Sequence, residues 1–171
     1  MYMWAVIHLP RITLRCLTTM AENLPYFTQG RVIKGFGRGS KELGIPTANF
    51  PEDVVEKLPA ALTTGVYYGW ACVDDGEVHK MVMSIGWNPY YKNEKKSMET
   101  HIMHTFKDDF YDSILKVGIL GFMRPEKNYP CLDSLIAAIK QDIADADMKL
   151  SQPDALKYKN DNFFRDLSSQ L

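Results

Sequence analysis

The stretch that decides the fold is GVYYGWACVDDGEVHKMVMSIGW, residues 65–87. It contains two runs rich in Val, Ile, Tyr and Trp, Gly65–Val73 and Val78–Trp87, with Asp74-Asp75-Gly76 between them. β-branched and aromatic residues favour extended strands, and an Asp-Gly pair tolerates the positive φ angles of a tight turn. The stretch therefore predicts an antiparallel hairpin.

Outward from this hairpin, similar runs at residues 30–35, 98–106 and 114–123 predict further strands. Five or six short strands without helices between them predict an antiparallel barrel or sandwich, because parallel neighbours would need crossover helices. The period then changes over Leu132–Leu150, which predicts an amphipathic helix lying on the sheet. In this helix the charged side chains are expected on the faces away from the sheet: Lys140, Asp142, Asp145 and Lys149.

Composition limits the classes of function. A chain of 171 residues with 46% apolar residues predicts one domain with its own core, placed at residues 23–171. Twenty basic and 21 acidic side chains give a net charge of −1, which argues against electrostatic binding of nucleic acid. Three cysteines without paired spacing support neither a disulfide framework nor a zinc ribbon.

The first twenty residues differ from the rest, since they contain Arg11 and Arg15 but no acid. Their apolar run is too short for a membrane span. A mitochondrial transit peptide shares this composition, but Pro10 interrupts the helix that such a peptide needs. We therefore predict a flexible leader over residues 1–22 and a cytoplasmic protein, with mitochondrial targeting as the alternative.

A glycine-rich segment at residues 34–41, KGFGRGSK, follows the first predicted strand. Glycines allow backbone N–H groups to approach a phosphate closely, and Arg and Lys neutralise its charge. The spacing matches neither a dinucleotide fingerprint nor a Walker loop. The alternative is a hairpin tip with solvated charges.

The next segment contains Thr47 and Asn49, two residues apart after Pro46. On an extended chain their side chains point the same way. A hydroxyl and an amide carbonyl are neutral oxygen donors of the kind that Mg²⁺ accepts alongside water and nucleotide phosphates. Without a ligand, the pair would be a turn or a helix cap.

The run at residues 95–106 places one acid, Glu99, in an otherwise apolar and hydroxylic strand. A two-residue period puts Glu99 and His101 on one face, and Ile102 and His104 on the other. A carboxylate there can accept the proton of a substrate hydroxyl during group transfer. The alternative is an ion pair of Glu99 with a neighbouring lysine.

Four blocks of sequence together carry a resemblance to a known family: GFGRGSK at 35–41, LGIPTAN at 43–49, SIGWNPY at 84–90 and METHIMH at 98–104. They resemble the eukaryotic monofunctional riboflavin kinases, over about residues 24–164. The resemblance implies a six-stranded antiparallel Greek-key barrel with a C-terminal helix packed on it. It also implies phosphorylation of riboflavin at the ribityl 5′-hydroxyl by MgATP, giving FMN and ADP.

The resemblance also implies roles for individual residues. Glu99 matches the catalytic base, and Thr47 and Asn49 match the Mg²⁺ ligands. The ATP-binding set comprises Gly35, Lys41, Thr47, Ile102, His104 and Tyr111; the flavin-binding set comprises Arg124, Lys127 and Ser134. We expect a monomer whose partners are ATP and riboflavin, with no nucleic acid and no membrane span. The competing possibility is a barrel that binds flavin or nucleotide without turnover.

Overall fold

The computed structural model describes residues 22–35, 43–87 and 95–165. Most of the predicted leader lies outside the described residues, as do Lys41 with the rest of the glycine-rich segment after Gly35, and the last residues of the block at 84–90.

Six strands and one long helix dominate the described ranges. The strands are β1 (Tyr26–Arg31), β2 (Ala48–Asn49), β3 (Gly65–Val73), β4 (Val78–Trp87), β5 (Lys96–Ile102) and β6 (Ile114–Arg124). The helices are α1 (Glu52–Val55), α2 (Leu132–Leu150) and α3 (Pro153–Leu156), followed by 3₁₀ turns at Lys157–Asn160 and Asn162–Phe164. The hairpin and α2 have the predicted bounds.

The strands form one antiparallel sheet in the order β1-β6-β3-β4-β5-β2. The sheet curls until its two edges meet, where the amide of Ile33, just after β1, donates to the carbonyl of Asn49 in β2 at 3.0 Å. The predicted barrel with a C-terminal helix is thereby confirmed. We call the bridge between Ile33 and Asn49 the seam of the barrel.

Two strands lie elsewhere than predicted. β1 spans Tyr26–Arg31, whereas the prediction was residues 30–35. The difference arises because Tyr26 to Arg31 are the residues that pair with β6. β5 ends at Ile102, because the amide of His104 turns back to the carbonyl of Ile102 at 2.8 Å and leaves the ladder.

The hairpin turn uses the two aspartates and not the glycine. Asp74 and Asp75 have φ angles of 46° and 57°, a conformation that Asp tolerates better than most residues. Their side chains contact β6: Asp74 accepts from the amide of Ile114 at 2.7 Å, and Asp75 pairs with Lys116. The turn is therefore fixed by the neighbouring strand as well as by its own backbone.

The inner face of the sheet supplies the core. Its fully buried side chains come from β3, β4, β5 and β6 and include Tyr67, Met81, Met83, Ile85, Met98, Leu115, Val117 and Ile119. On the outer face, Ala146 of α2 packs on Val66 and Val82. Farther along, the C-terminal turns cover Trp70, whose indole donates to the carbonyl of Ala155 at 3.0 Å. The outer face at Ser84 stays exposed to solvent.

Gly69 is the position in β3 where a side chain is least tolerable. A Cβ there would overlap the carbonyl oxygen of Gly118 in β6. We expect Gly69→Ala to lower the free energy of unfolding by about 3 kcal/mol, the upper part of the usual range for overpacking, because backbone must move. Urea denaturation measures the change, and Gly76→Ala, in the exposed turn, is the control. A Gly69→Ala protein as stable as the wild type would contradict the close strand contact.

Candidate active site

Five residues from five strands lie side by side across the outer face of the sheet. Asn49 is paired with Glu99, Glu99 with Ser84, Ser84 with Val66, and Val66 with Arg124. Directly paired residues point to the same side of a sheet, with strands about 4.8 Å apart. Asn49 and Glu99 are thus immediate neighbours, and Arg124 lies three strands, or about 14 Å, from Glu99. We call this set the outer row.

The alternation of β5 turns Glu99 outward. Met98, Thr100 and Ile102 are buried, whereas Ser97, Glu99 and His101 are partly exposed. The face predicted for Glu99 and His101 is confirmed within the strand. One neighbouring lysine, Lys95, contacts Glu52 in α1. Glu99 is a partly exposed carboxylate on the outer face, directly paired with Asn49.

Backbone on both sides holds the predicted metal-binding pair. Asn49 is 6% exposed, and a Cβ at Gly35 would overlap its Nδ2 atom. The ring of His101 hydrogen-bonds through Nδ1 to the carbonyl of Pro46 at 2.9 Å, which fixes the chain next to Thr47. The side-chain oxygens of Thr47 and Asn49 are neutral donors close to the carboxylate of Glu99, and the backbone at Gly35 packs against Asn49 with no room for a Cβ. This set of donors fits a hard divalent cation.

Gly35 is required by this close approach. We expect Gly35→Ala to raise the KM for ATP about tenfold, because the added methyl displaces the Asn49 side chain, and an error of about 1 Å in a positioning group is costly. The KM for riboflavin should change little. Steady-state kinetics with each substrate varied in turn measures both constants. Gly44→Ala is the control, since open space surrounds that position although its φ of 72° adds some strain. Equal kinetics for Gly35→Ala and the wild type would refute the packing argument.

Three members of the predicted ATP-binding set, Ile102, His104 and Tyr111, lie on or beside the connection between β5 and β6. Ile102 is buried in the core, on the side of β5 opposite to Glu99. His104 is exposed and stacks on His79 with ring centroids 4.0 Å apart. Tyr111 is 45% exposed, and the ammonium of Lys34 lies 5.8 Å from its ring centroid. We call the exposed part of this connection, which carries His104 and Tyr111, the rim; the buried side chain of Ile102 is not part of it.

This rim is tied to the segment that leads to Gly35. Arg31 donates through Nη1 to the carbonyl of Asp112 at 2.6 Å, and the amide of Asp112 donates to the carbonyl of Val32 at 2.9 Å. His79 was not singled out in the sequence. Burial, followed by the charge of His104, lowers the pKa of His79, so the neutral ring is favoured in the stack.

The flavin candidates lie at the other end of the outer row. A bulge in β6 next to Val66 brings Met123 and Arg124 to the same face, where Met123 packs with the cluster under α2 and Arg124 binds that helix. Lys127 is exposed in the segment that follows. Ser134 lies in the first turn of α2, where its hydroxyl accepts from the amide of Cys131 at 3.4 Å as part of a capping box and donates to the carbonyl of Cys131 at 2.7 Å. The hydrogen bonds with Ser134 also lower the pKa of the Cys131 thiol.

Two acids near Arg124 were missed in the sequence. Asp142, expected on a solvent face of α2, is instead buried at 6% exposure and paired with Arg124. The signal was present, because Asp142 falls in the apolar stripe of Ile139, Ala146 and Leu150, where a charge needs a partner. The second acid, Glu126, lies over β4: a Cβ at Gly86 would come within 2.5 Å of its Oε1. The side chain of Glu126 therefore lies on the outer face of β4, two residues along the strand from Ser84.

Comparison with known proteins shows the family to which this chain is similar. The riboflavin kinase family model matches residues 22–150. Human riboflavin kinase is 65% identical over 149 residues, which cover 87% of this chain and 96% of the human protein. The mouse enzyme is 66% identical over 143 residues, covering 84% of this chain and 92% of its own. The crystal structure of riboflavin kinase from Trypanosoma brucei superposes with a TM-score of 0.67 at 26% identity, covering 82% of this chain and 89% of that one.

Within the ranges that the structure describes, none of the helices has the length and apolar character needed to cross a membrane. The family match covers most of the chain, and the matched region contains every element of the outer row. The chain therefore belongs to the riboflavin kinase family.

Proposed function

We propose that the outer row, together with Gly35 and Lys41, is the site at which this kinase phosphorylates riboflavin with ATP to give FMN and ADP. The observation that carries the proposal is the direct pairing of Asn49 with Glu99. It puts a metal-ligand candidate and a proton acceptor about 5 Å apart between Cβ atoms, on the same face of the sheet. Phosphoryl transfer needs mainly positioning and charge stabilisation, which such a pair can supply.

Thr47 and Asn49 would hold Mg²⁺ through their side-chain oxygens. When bound, the cation would neutralise charge on the phosphate oxygens of ATP. Gly35 leaves its backbone open to the phosphates, and Lys41 would add a positive charge, while Lys34 lies beside Gly35 along the chain. His104 and Tyr111 offer ring surfaces at the rim for the base of the nucleotide.

Glu99 would act on the acceptor. Its carboxylate orients the 5′-hydroxyl of riboflavin and takes the hydroxyl proton as the new O–P bond forms and the bond to ADP breaks. The proton then passes from Glu99 to solvent. The exposed face at Ser84 gives the ribityl chain room to lie along the row.

The ring of the flavin would lie toward Arg124, Lys127 and Ser134. Glu99 and Arg124 are about 14 Å apart measured along the curled row, and Val66 between them is buried under α2. The protein would work as a cytoplasmic monomer.

Product analysis tests the proposal. The purified protein is incubated with riboflavin, ATP and Mg²⁺, and FMN and ADP are separated by chromatography. Equal amounts of both products are expected, and omission of the metal should abolish both. Binding of riboflavin without ADP formation would instead identify a non-catalytic barrel. Substituting Mn²⁺ or Zn²⁺ at equal concentration shows which cation the Thr47 and Asn49 site accepts.

A further inference from the structure

Arg124 holds together three parts of the chain. Its Nε donates to Oδ1 of Asp142 at 2.8 Å and its Nη2 donates to Oδ2 at 2.6 Å, so the two side chains form a bidentate salt bridge. Its Nη1 donates to the carbonyl of Pro125 at 3.1 Å, and the guanidinium lies 5.9 Å from the ring centroid of Tyr129. Asp142 comes from α2, and the other two come from the segment after β6.

The guanidinium therefore contacts the segment at residues 125–131 at Pro125 and at Tyr129, near its two ends. Between these ends Glu126 lies against Gly86, on the same face as the outer row. The segment also contains Lys127, and it leads directly to the capped first turn of α2 with Ser134. The other two flavin candidates, Lys127 and Ser134, thus lie in or directly after a segment that Arg124 contacts.

Asp142 fixes that orientation. It is 6% exposed, and its side chain and that of Arg124 are 8% and 20% exposed, so little water competes for the salt bridge. The carboxylate raises the pKa of Arg124, which keeps the guanidinium charged. A guanidinium bound at two points to a buried carboxylate is held in one geometry. Without the carboxylate, the Arg124 side chain would have many rotamers.

We infer that Asp142 is a positioning residue for the flavin: it does not touch the substrate, but it orients Arg124 and, through Arg124, the segment at residues 125–131. This inference rests on the flavin site proposed above. It assigns to α2 a part in substrate recognition besides covering the sheet.

The test is the kinetics of Asp142→Asn, which keeps the shape of the side chain but removes its charge. The KM for riboflavin is expected to rise about tenfold, an amount equal to about 1.4 kcal/mol, while the KM for ATP stays within about twofold. Asp147→Asn is the matched control. Asp147 is on the same helix and pairs with Lys80 of β4 at 2.7 Å, away from the outer row, so both constants should stay at wild-type values.

A second variant guards against loss of the fold. Asp142→Glu keeps the charge of the pair, but it moves the carboxylate by one methylene and should raise the KM for riboflavin by a smaller factor. Thermal melting followed by circular dichroism confirms that each protein is folded. A folded Asp142→Asn or Asp142→Glu protein with the wild-type KM for riboflavin would overturn the inference.

A double-mutant cycle separates this inference from the proposed function. In an Arg124→Ala background, Asp142→Asn should add less than a twofold change to the KM for riboflavin, because it acts through Arg124. If Arg124→Ala raises this KM and Asp142→Asn alone does not, the positioning role fails and the flavin site stands. If Arg124→Ala itself has no effect, the flavin site and the inference fail together.

Discussion

Glu99→Gln is expected to lower kcat by about 10² to 10⁴, the usual contribution of a general base, while the KM for ATP changes little. The amide keeps the size and one hydrogen-bond acceptor of the carboxylate, but it cannot take the proton of the 5′-hydroxyl. Because Glu99 is partly exposed and its neighbours Met98 and Thr100 supply the buried face, the barrel should fold normally. Single-turnover experiments with saturating ATP measure the chemical step directly.

Ser97→Ala is the matched control for this prediction. Ser97 is on the same face of β5, two residues before Glu99 and paired with Gly86. Its kcat should stay within about threefold of the wild type, as for surface changes away from the reacting atoms. If Glu99→Gln turns over nearly as fast as the wild type, Glu99 is not the base.

The second large effect is expected for the metal-binding pair. Asn49→Ala should weaken ATP binding by at least about 10- to 100-fold when Mg²⁺ is present, since even outer-shell partners of a metal are worth that much. In the absence of the metal the same substitution should change ATP affinity little, because Asn49 would bind the cation and not the nucleotide. Titration calorimetry with and without Mg²⁺ measures both affinities.

Thr47→Ala provides a parallel variant at a more exposed position, and the same dependence on metal is expected. Since Asn49 is buried, its variant also needs a melting curve to show that the barrel is closed. Equal losses with and without Mg²⁺ would mean that the two residues shape the backbone and do not hold the cation.

Local patterns explain which elements could be predicted. The hairpin and α2 have long runs with a clear period, and the bounds of β3, β4 and α2 follow from them. β2 has only two residues, and it exists because β5 and the chain after β1 pair with it on either side. No period can be recognised in so short a strand. β1 was misplaced by several residues because its ends are set by pairing with β6.

For the site, too, the sequence indicated the chemistry of individual residues but not which of them lie together. The residue types at Thr47, Asn49 and Glu99 suggested their chemistry, but their adjacency comes from the register of β2 on β5, which no single segment encodes. Arg124 reaches the outer face through a bulge, which breaks the alternation on which a sequence-based prediction of its face depends. Roles for Asp142 and Glu126 could not be derived from α2 or from the segment after β6 alone.

The seam of the barrel has a thermodynamic consequence. The backbone of Asn49 joins the two edges of the sheet, and its side chain belongs to the site where the metal and ATP are proposed to bind. Opening the seam would therefore dismantle that site. A ligand that binds only the closed barrel shifts the equilibrium toward closure in proportion to its concentration over its dissociation constant. Barrel closure and occupancy of the site are therefore thermodynamically linked, so a larger cellular supply of the nucleotide would lower the fraction of this enzyme whose barrel is open.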